Sequence, residues 1–432
     1  MITTFGKQFR DWSADYSLYA KDRVNEEVIF TQVRKEVEAL APVSCPLRLA
    51  LDDTILRKTG KTIPGTAYRK DPLGPPFNLN LVWAQRRIQL SAAVADENNE
   101  ARMIPISFLD ASTPRKPRKT APPEQVELYK ERMKQRNLNT LATQVLDQLQ
   151  QDRTAEHGGT TPALRVAVDG SYTNKTMLRN LPANTTLTGR IRKDAKLSAK
   201  PGSQATLGRK RFYGHDLPTP EQIRQDPNIP WITVRVRASG KWRDFDVKTL
   251  SPIRWRAAGE MDLRLVVIRP VGYRLRTGAR RLYTQPAYLI CTDPLLPLED
   301  LLQEFIWRWD IEVNHRDEKT ILGVGQAQVR NQTSVENIPA VAVAAYAMLH
   351  VAAIKAYGPG GKPAVIPEAK WRKPGNKLRP STQDLINELR RELWVKAIRP
   401  EILTDFMNTA RGYTKPLKFE PSLCSTLFAA TA

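Results

Sequence analysis

Apolar and polar positions change period several times along this chain, and each change predicts an element. Leu47–Leu51 is an apolar run that reads as a strand ending in acid, and Leu79–Trp83, Ile88–Val94 and Met103–Phe108 supply further strands. Residues 110–123 are rich in Pro, Lys and Arg without an apolar period, which marks a basic loop. A long polar helix is predicted over Glu124–Gln151, then a short buried strand over Ala163–Val168 that again ends in Asp, a helix from Lys175 and a strand around Thr186–Ile191. From Pro230 to Thr292 the period becomes two: Ile232, Val234 and Val236 share one face, and Thr233, Arg235 and Arg237 the other. Lys241–Val247, Leu263–Arg269 and Arg281–Cys291 continue this β-rich block. Helices return over Pro297–Lys319 and Ile338–Ala356, and a last one starts near Ser381.

Three strands, a helix, a strand, a helix and a strand is the order of an RNase H-like α/β layer, in which the first and fourth strands are neighbours. The acids that end them, Asp52 and Asp169, would then lie side by side. The expected fold class is therefore α/β, an RNase H-like core with a β-rich insertion between Asp169 and Glu312 and helical terminal segments. The corresponding divisions are an N-terminal helical segment over 1–42, core over 43–229, insertion over 230–293, core again over 294–357, and a linker with a C-terminal helical segment over 358–432.

Composition narrows the partner. The 432 residues carry 67 Lys+Arg against 45 Asp+Glu, a formal charge of +22. So large a surplus favours a polyanion, nucleic acid or an acidic membrane. The longest apolar stretch, Ala340–Ile354, falls short of the roughly 20 residues that span a bilayer, and Met1–Arg10 has no signal-peptide centre. Nucleic acid is the expected partner, with no membrane and a cytoplasmic location. Cys45, Cys291 and Cys424 form no CxxC pair, so neither a disulfide framework nor a zinc ribbon is expected. Metal chemistry would have to rest on oxygen ligands.

Two acids stand after apolar strands, each with a small hydroxyl residue two positions on: Asp52-x-Thr54 and Asp169-x-Ser171. Either could instead cap a turn, and Asp53 leaves the first position open between two acids. In the helix predicted over 297–319, Phe305, Arg308, Glu312 and Lys319 have offsets of 0, 3, 7 and 14, which places them on one stripe together with Arg316. A salt-bridged surface face would give the same charges. Trp307 and Trp309, off the stripe, are expected to be buried and so to turn the stripe into a cleft.

The spacing Phe305-x2-Arg308-x3-Glu312-x6-Lys319 resembles the Tyr-x2-Arg-x3-Glu-x6-Lys signature of bacterial insertion-sequence DDE transposases that act through a DNA hairpin, with Phe in place of Tyr. Asp52-x-Thr54 and Asp169-x-Ser171 resemble that family's first and second aspartates, and the likeness covers about residues 45–355. It implies a metal-dependent nuclease and strand-transferase with Asp52, Asp169 and Glu312 as catalytic metal ligands. Two Mg2+ ions are implied, with Mn2+ able to substitute. The partners implied are double-stranded DNA, transposon ends and target alike, and a second copy of the chain in a homodimer. Phe305, Arg308, Arg316 and Lys319 become DNA contacts. Arg190, Arg192 and Lys193, with Lys196, Lys200, Arg209, Lys210 and Arg211, form a basic run suited to a DNA track, as do Arg115, Lys116, Arg118 and Lys119. Trp242 and Trp255 are candidates to stack on a flipped base, although core packing suits either. His215 and His315 read as ordinary polar residues. A different RNase H-like nuclease or a DNA-binding descendant without activity is the competing reading.

Overall fold

The computed structural model describes residues 13–397 apart from 22, 42–44, 72–73, 76–78, 115, 203–210, 277 and 362–378. Arg115, Arg209, Lys210 and Cys424 thus lie outside the described residues, as does most of the expected linker. In chain order the elements are α1 (Ser13–Ala20), α2 (Glu26–Glu38), β1 (Leu47–Arg57), β2 (Ala67–Lys70), β3 (Leu81–Ala95), β4 (Ala101–Asp110), α3 (Pro123–Gln135), α4 (Leu138–Glu156), β5 (Leu164–Val168), α5 (Lys175–Arg179) and β6 (Thr185–Arg190). There follow β7 (Leu197–Ala199), β8 (Asp216–Leu217), α6 (Pro220–Gln225), β9 (Ile232–Ala238), β10 (Lys241–Trp255), β11 (Leu263–Ile268), β12 (Gly272–Tyr273), β13 (Leu282–Tyr283), β14 (Ala287–Cys291), α7 (Leu298–Trp307), α8 (Asp310–Thr320), α9 (Gln332–Tyr357) and α10 (Thr382–Ala397).

One mixed sheet organises the chain, in the order β2-β3-β1-β5-β6-β14-β11-β10-β7-β8, with β4 on β3 and β9 on β10. β1 is antiparallel to β3 and parallel to β5, and β5 is parallel to β6. This arrangement is compatible with an RNase H-like layer. The β-rich block is not detached from it: β14 pairs with β6, so the sheet continues without a break through β11 and β10. Its period of two holds at Val234 and Val236, each 1% exposed, but Ile232 at the strand's start is 43% exposed.

The elements differ from the expected ones where a local cap or turn outweighs the period. β1 does not stop at Leu51. Thr54, Ile55 and Leu56 pair on with Arg87, Arg86 and Gln85, so Asp52 lies in mid-strand. The two strand segments of 79–94 are one strand, β3. The polar helix expected over 124–151 is two, because Asn137 adopts an extended backbone and its side chain accepts from the amide of Asn139, an N-cap in mid-run. The helix of 297–319 is also two. At the junction, Trp309 N bonds Ile306 O, Ile311 N bonds Arg308 O and Glu312 N bonds Trp309 O, a tightened i→i−3 turn.

The core lies on both faces of the sheet. Leu49, Leu51, Val166 and Val168 pack with Leu146 and Leu149 of α4 and Val33 and Val37 of α2. On the other face Ala50 and Met103 meet Trp307 and Ile311. Among the described residues α9 is long and apolar enough to cross a membrane, and 56% of its most apolar stretch is buried within the fold.

Candidate active site

Residue alternation along β1 decides which acid faces which way. Ala50 and Asp52 share a face, and the small Ala50 lets Trp307 and Ile311 come down against the sheet there. Asp52 is largely buried, its side chain 17% exposed, and burial pushes its carboxyl up to about 7. The amide of Asp53, donating to Asp52 Oδ1 at 2.8 Å, and the guanidinium of Arg308 oppose the rise, while the charge of Asp169 adds to it. Asp53 points to the opposite face and is engaged there: Arg86 Nε donates to its Oδ2 at 2.5 Å, and the Tyr172 hydroxyl to its Oδ1 at 2.9 Å.

Asp169 follows β5 directly. The β1–β5 pairing ends at Leu51↔Val168, so Asp52 and Asp169 each come next after the last paired residue of adjacent parallel strands. The Asp-x-Ser spacing has a local explanation: the amide and hydroxyl of Ser171 donate to Asp169 Oδ1 at 2.7 and 2.6 Å, which fixes the carboxylate on its turn. Thr173 Oγ1 donates to Asp169 O at 2.9 Å and closes the same turn. Gly189 on β6 makes room for it, since a Cβ there would lie 2.1 Å from Thr173 Oγ1.

Glu312 stands in the first turn of α8 and is half-buried; burial raises its carboxyl, Arg308 opposes this, and Asp169 adds to it. Arg308 joins the two acids from the sheet and the helix, with Nη1 at 3.4 Å from Asp52 Oδ2 and Nη2 at 3.7 Å from Glu312 Oε1. Its guanidinium carbon lies 5.6 Å from the centre of the Phe305 ring, a cation–π contact. Asp52, Asp169, Arg308 and Glu312 line one cleft of about 820 Å³, together with Arg190, Arg192, Trp255 and Trp309.

Not every residue of the expected stripe reaches this cleft. Phe305 packs partly buried in the α7 core, beneath Arg308. Arg316 is exposed and donates to Asp317 at 2.9–3.0 Å. Lys319 is pulled down by burial and sees the charges of Glu318, Arg57, Asp53 and Asp71. The described residues lining the cleft include neither Arg316 nor Lys319. Both stand in α8 beyond Glu312, four and seven residues on, and so about 6 and 10 Å farther along the helix axis at about 1.5 Å per residue. Of the basic run, Arg190 and Arg192 line the cleft, Arg192 in a fork with Asp194 at 2.8–2.9 Å; Lys193 is exposed beside them.

Trp307 is buried, 8% exposed, but Trp309, expected to be buried too, is 60% exposed and stands in the cleft. Of the two tryptophans expected as base-stacking candidates, Trp255 lines the cleft and Trp242 is 42% exposed on the β9–β10 hairpin. His215 is exposed, and His315 is buried and held neutral, its imidazole pulled down to about 3.

Among the described residues no group of three or more His, Cys, Asp or Glu side chains stands close enough to hold a metal ion without rearrangement. The donor chemistry nonetheless fits a hard divalent cation: three carboxylates border one cleft, and Asp169 pushes up both Asp52 and Glu312, a repulsion that a cation would relieve. Residues 20–258 match the family model of DDE superfamily endonucleases, a span that contains both aspartates and ends before Glu312. A comparison with curated proteins returns no match. With more than half of its length, and the two strands that carry Asp52 and Asp169, inside that match, the chain belongs to the DDE superfamily endonucleases.

Proposed function

We propose that the chain is a DNA transposase that cuts the ends of its own element and joins them to target DNA. The observation that carries this reading is the meeting of Asp52, Asp169 and Glu312 with Arg308 in one cleft. Membership of the DDE superfamily supports a DNA substrate and dependence on divalent metal. Asp52, Asp169 and Glu312 would hold two divalent cations, Mg2+ or Mn2+, whose chemistry is activation of the attacking oxygen and stabilisation of the leaving one.

The chain's own groups divide the remaining work. Arg308, fixed by Asp52, Glu312 and the Phe305 ring, compensates phosphate charge at the reacting position. Arg190 and Arg192, which line the same cleft, track the backbone without reading bases. Trp309 offers an exposed ring on which an unpaired base can stack. In the proposed sequence water nicks one strand, and the freed 3′-OH attacks the opposite strand to give a hairpin. Water reopens the hairpin, and the 3′-OH then attacks target DNA; each step exchanges one P–O bond for another. A homodimer would bring two ends together.

The test is incubation of the protein with linear DNA carrying its own element's end and Mg2+, beside Glu312→Gln. Nicks and hairpins from the wild type, and none from Glu312→Gln, are expected. A silent wild type, or an equally active Glu312→Gln, overturns the reading.

A further inference from the structure

We propose that Arg379 and Thr382 are positioning residues for Glu312, and that the stretch from Arg379 to Thr382 is a clasp closed over both ends of α8; this rests on the catalytic role given to Glu312 above. α8 needs such help. It has 11 residues and is set off from α7 by the tightened turn at Arg308–Trp309. Helices shorter than about 12–15 residues are marginal unless tertiary contacts hold them. Its buried residues are Ile311, Asn314, His315, Asp317 and Glu318, four of the five polar, so apolar packing alone does not fix its place on the sheet.

Polar ties supply what packing does not. At the start of α8, Arg379 forks onto Asp310, Nη1 to Oδ2 at 2.9 Å and Nη2 to Oδ1 at 3.1 Å. The same Nη1 donates to Ala101 O at 2.6 Å, which ties the helix start to the first residue of β4. Asp310 is two residues from Glu312, and a bidentate fork fixes direction as well as distance. At the far end, Thr382 Oγ1 donates to Asp317 Oδ2 at 2.7 Å in a buried position. Between them Asn314 Nδ2 donates to Met103 O at 2.8 Å, and Asn314 Oδ1 accepts from the Tyr346 hydroxyl at 2.9 Å.

The clasp is itself held. Arg102 Nη2 donates to Pro380 O at 2.7 Å, and Ser381 caps α10 through Asp384, its amide and hydroxyl donating to Oδ2 at 2.9 and 2.7 Å. Residues 379–382 therefore join β4, α8 and α10. A displacement of this clasp would swing the first turn of α8, and the carboxyl of Glu312, away from Asp52 without touching β1 or β5.

The experiment compares the full chain with Arg379→Ala, Thr382→Val and the conservative Thr382→Ser. Amide hydrogen exchange is followed across 310–320 and across β1 and β5, together with DNA affinity and the single-turnover cleavage rate of prebound DNA. For Arg379→Ala and Thr382→Val, exchange across 310–320 should rise roughly tenfold and cleavage fall by about the same factor, the size of a lost hydrogen bond to a charged group. Protection of β1 and β5 and the DNA Kd should stay near wild type, and Thr382→Ser should restore both readouts. Unchanged exchange across 310–320, unchanged cleavage with exchange raised, or exchange raised equally in β1 and β5 would each overturn the proposal. A wild type that cuts no DNA defeats the transposase reading and this role with it. The exchange data then still report separately whether the clasp holds α8.

Discussion

Arg308 reaches Asp52 from the helix side of the cleft, Nη1 to Oδ2 at 3.4 Å, and so links the acid of the sheet to the helix that carries Glu312. Its charge also lowers the Asp52 carboxyl against the burial that raises it to about 7.

Arg308→Ala should therefore do two things. Loss of a charge-assisted contact to phosphate is worth about 1.5–3 kcal/mol, so the cleavage rate should fall roughly ten- to a hundredfold. Without the guanidinium the Asp52 carboxyl rises further, so the pH at which it ionises moves up. In the metal-free protein the ionisation profile of the Asp52 carboxyl, followed by NMR titration, should shift to higher pH in Arg308→Ala and stay in place in Arg308→Lys. A profile that keeps its midpoint in Arg308→Ala contradicts this coupling.

Asp52 and Asp53 should separate chemistry from stability. Asp52→Asn removes the cleft carboxylate and should abolish cleavage while leaving Tm within a few degrees of wild type. Asp53→Ala strips Arg86 and Tyr172 of a shared acceptor. With Arg86 about one third exposed, the cost should be on the order of 2 kcal/mol, below that of a fully buried pair. Thermal unfolding beside a nicking assay checks both; an inactive, fully stable Asp53→Ala would reverse the assignment of the two acids.

Trp309 is exposed, so Trp309→Ala should change stability by no more than about 0.5 kcal/mol. If its ring stacks on a base, affinity for DNA with an unpaired end nucleotide should fall by about 1–3 kcal/mol, and Trp309→Phe should recover most of it. Fully paired DNA should bind all three proteins alike. Equal losses on both substrates would exclude stacking.

How far the fold and cleft were legible in the sequence depended on whether a signal was local. The apolar runs before Asp52 and Asp169 identified strands because burial on both faces leaves a near-continuous hydrophobic run, and the order of elements made them neighbours. The Asp-x-Ser spacing pointed to Asp169 because Ser171 holds its carboxylate through local hydrogen bonds. The helical stripe located Arg308 and Glu312, four residues apart, since that spacing survives a tightened turn. A period gives direction around a helix but not reach along it, so it did not show that Lys319, about two turns past Glu312, stands outside the lining of the cleft. Trp309 was expected to be buried from its residue type and its place off the stripe, yet Trp307 is buried while Trp309 stands exposed in the cleft. The extension of β1 past its acids, the Asp310–Arg379 fork and the burial of Glu318 all depend on partners distant in sequence, which no local period records.

Glu318 gives the clearest pH signature in the fold. It is 1% exposed on the inner side of α8, and burial pushes its carboxyl up to about 8, with a hydrogen bond to Gln89 only partly opposing the rise. Between the ordinary value of 4.5 and about 8 the folded chain keeps this proton while the unfolded chain loses it. Folding then takes up a proton, so stability from this group is full below 4.5 and is lost as pH climbs through about 8. Glu318→Gln keeps the shape and stays neutral throughout. Its Tm should match the wild type near pH 4.5, exceed it by a margin that widens toward pH 8, and keep a constant lead beyond that. Parallel melting curves across that range, with no widening, would mean that Glu318 ionises in the folded protein as readily as in water.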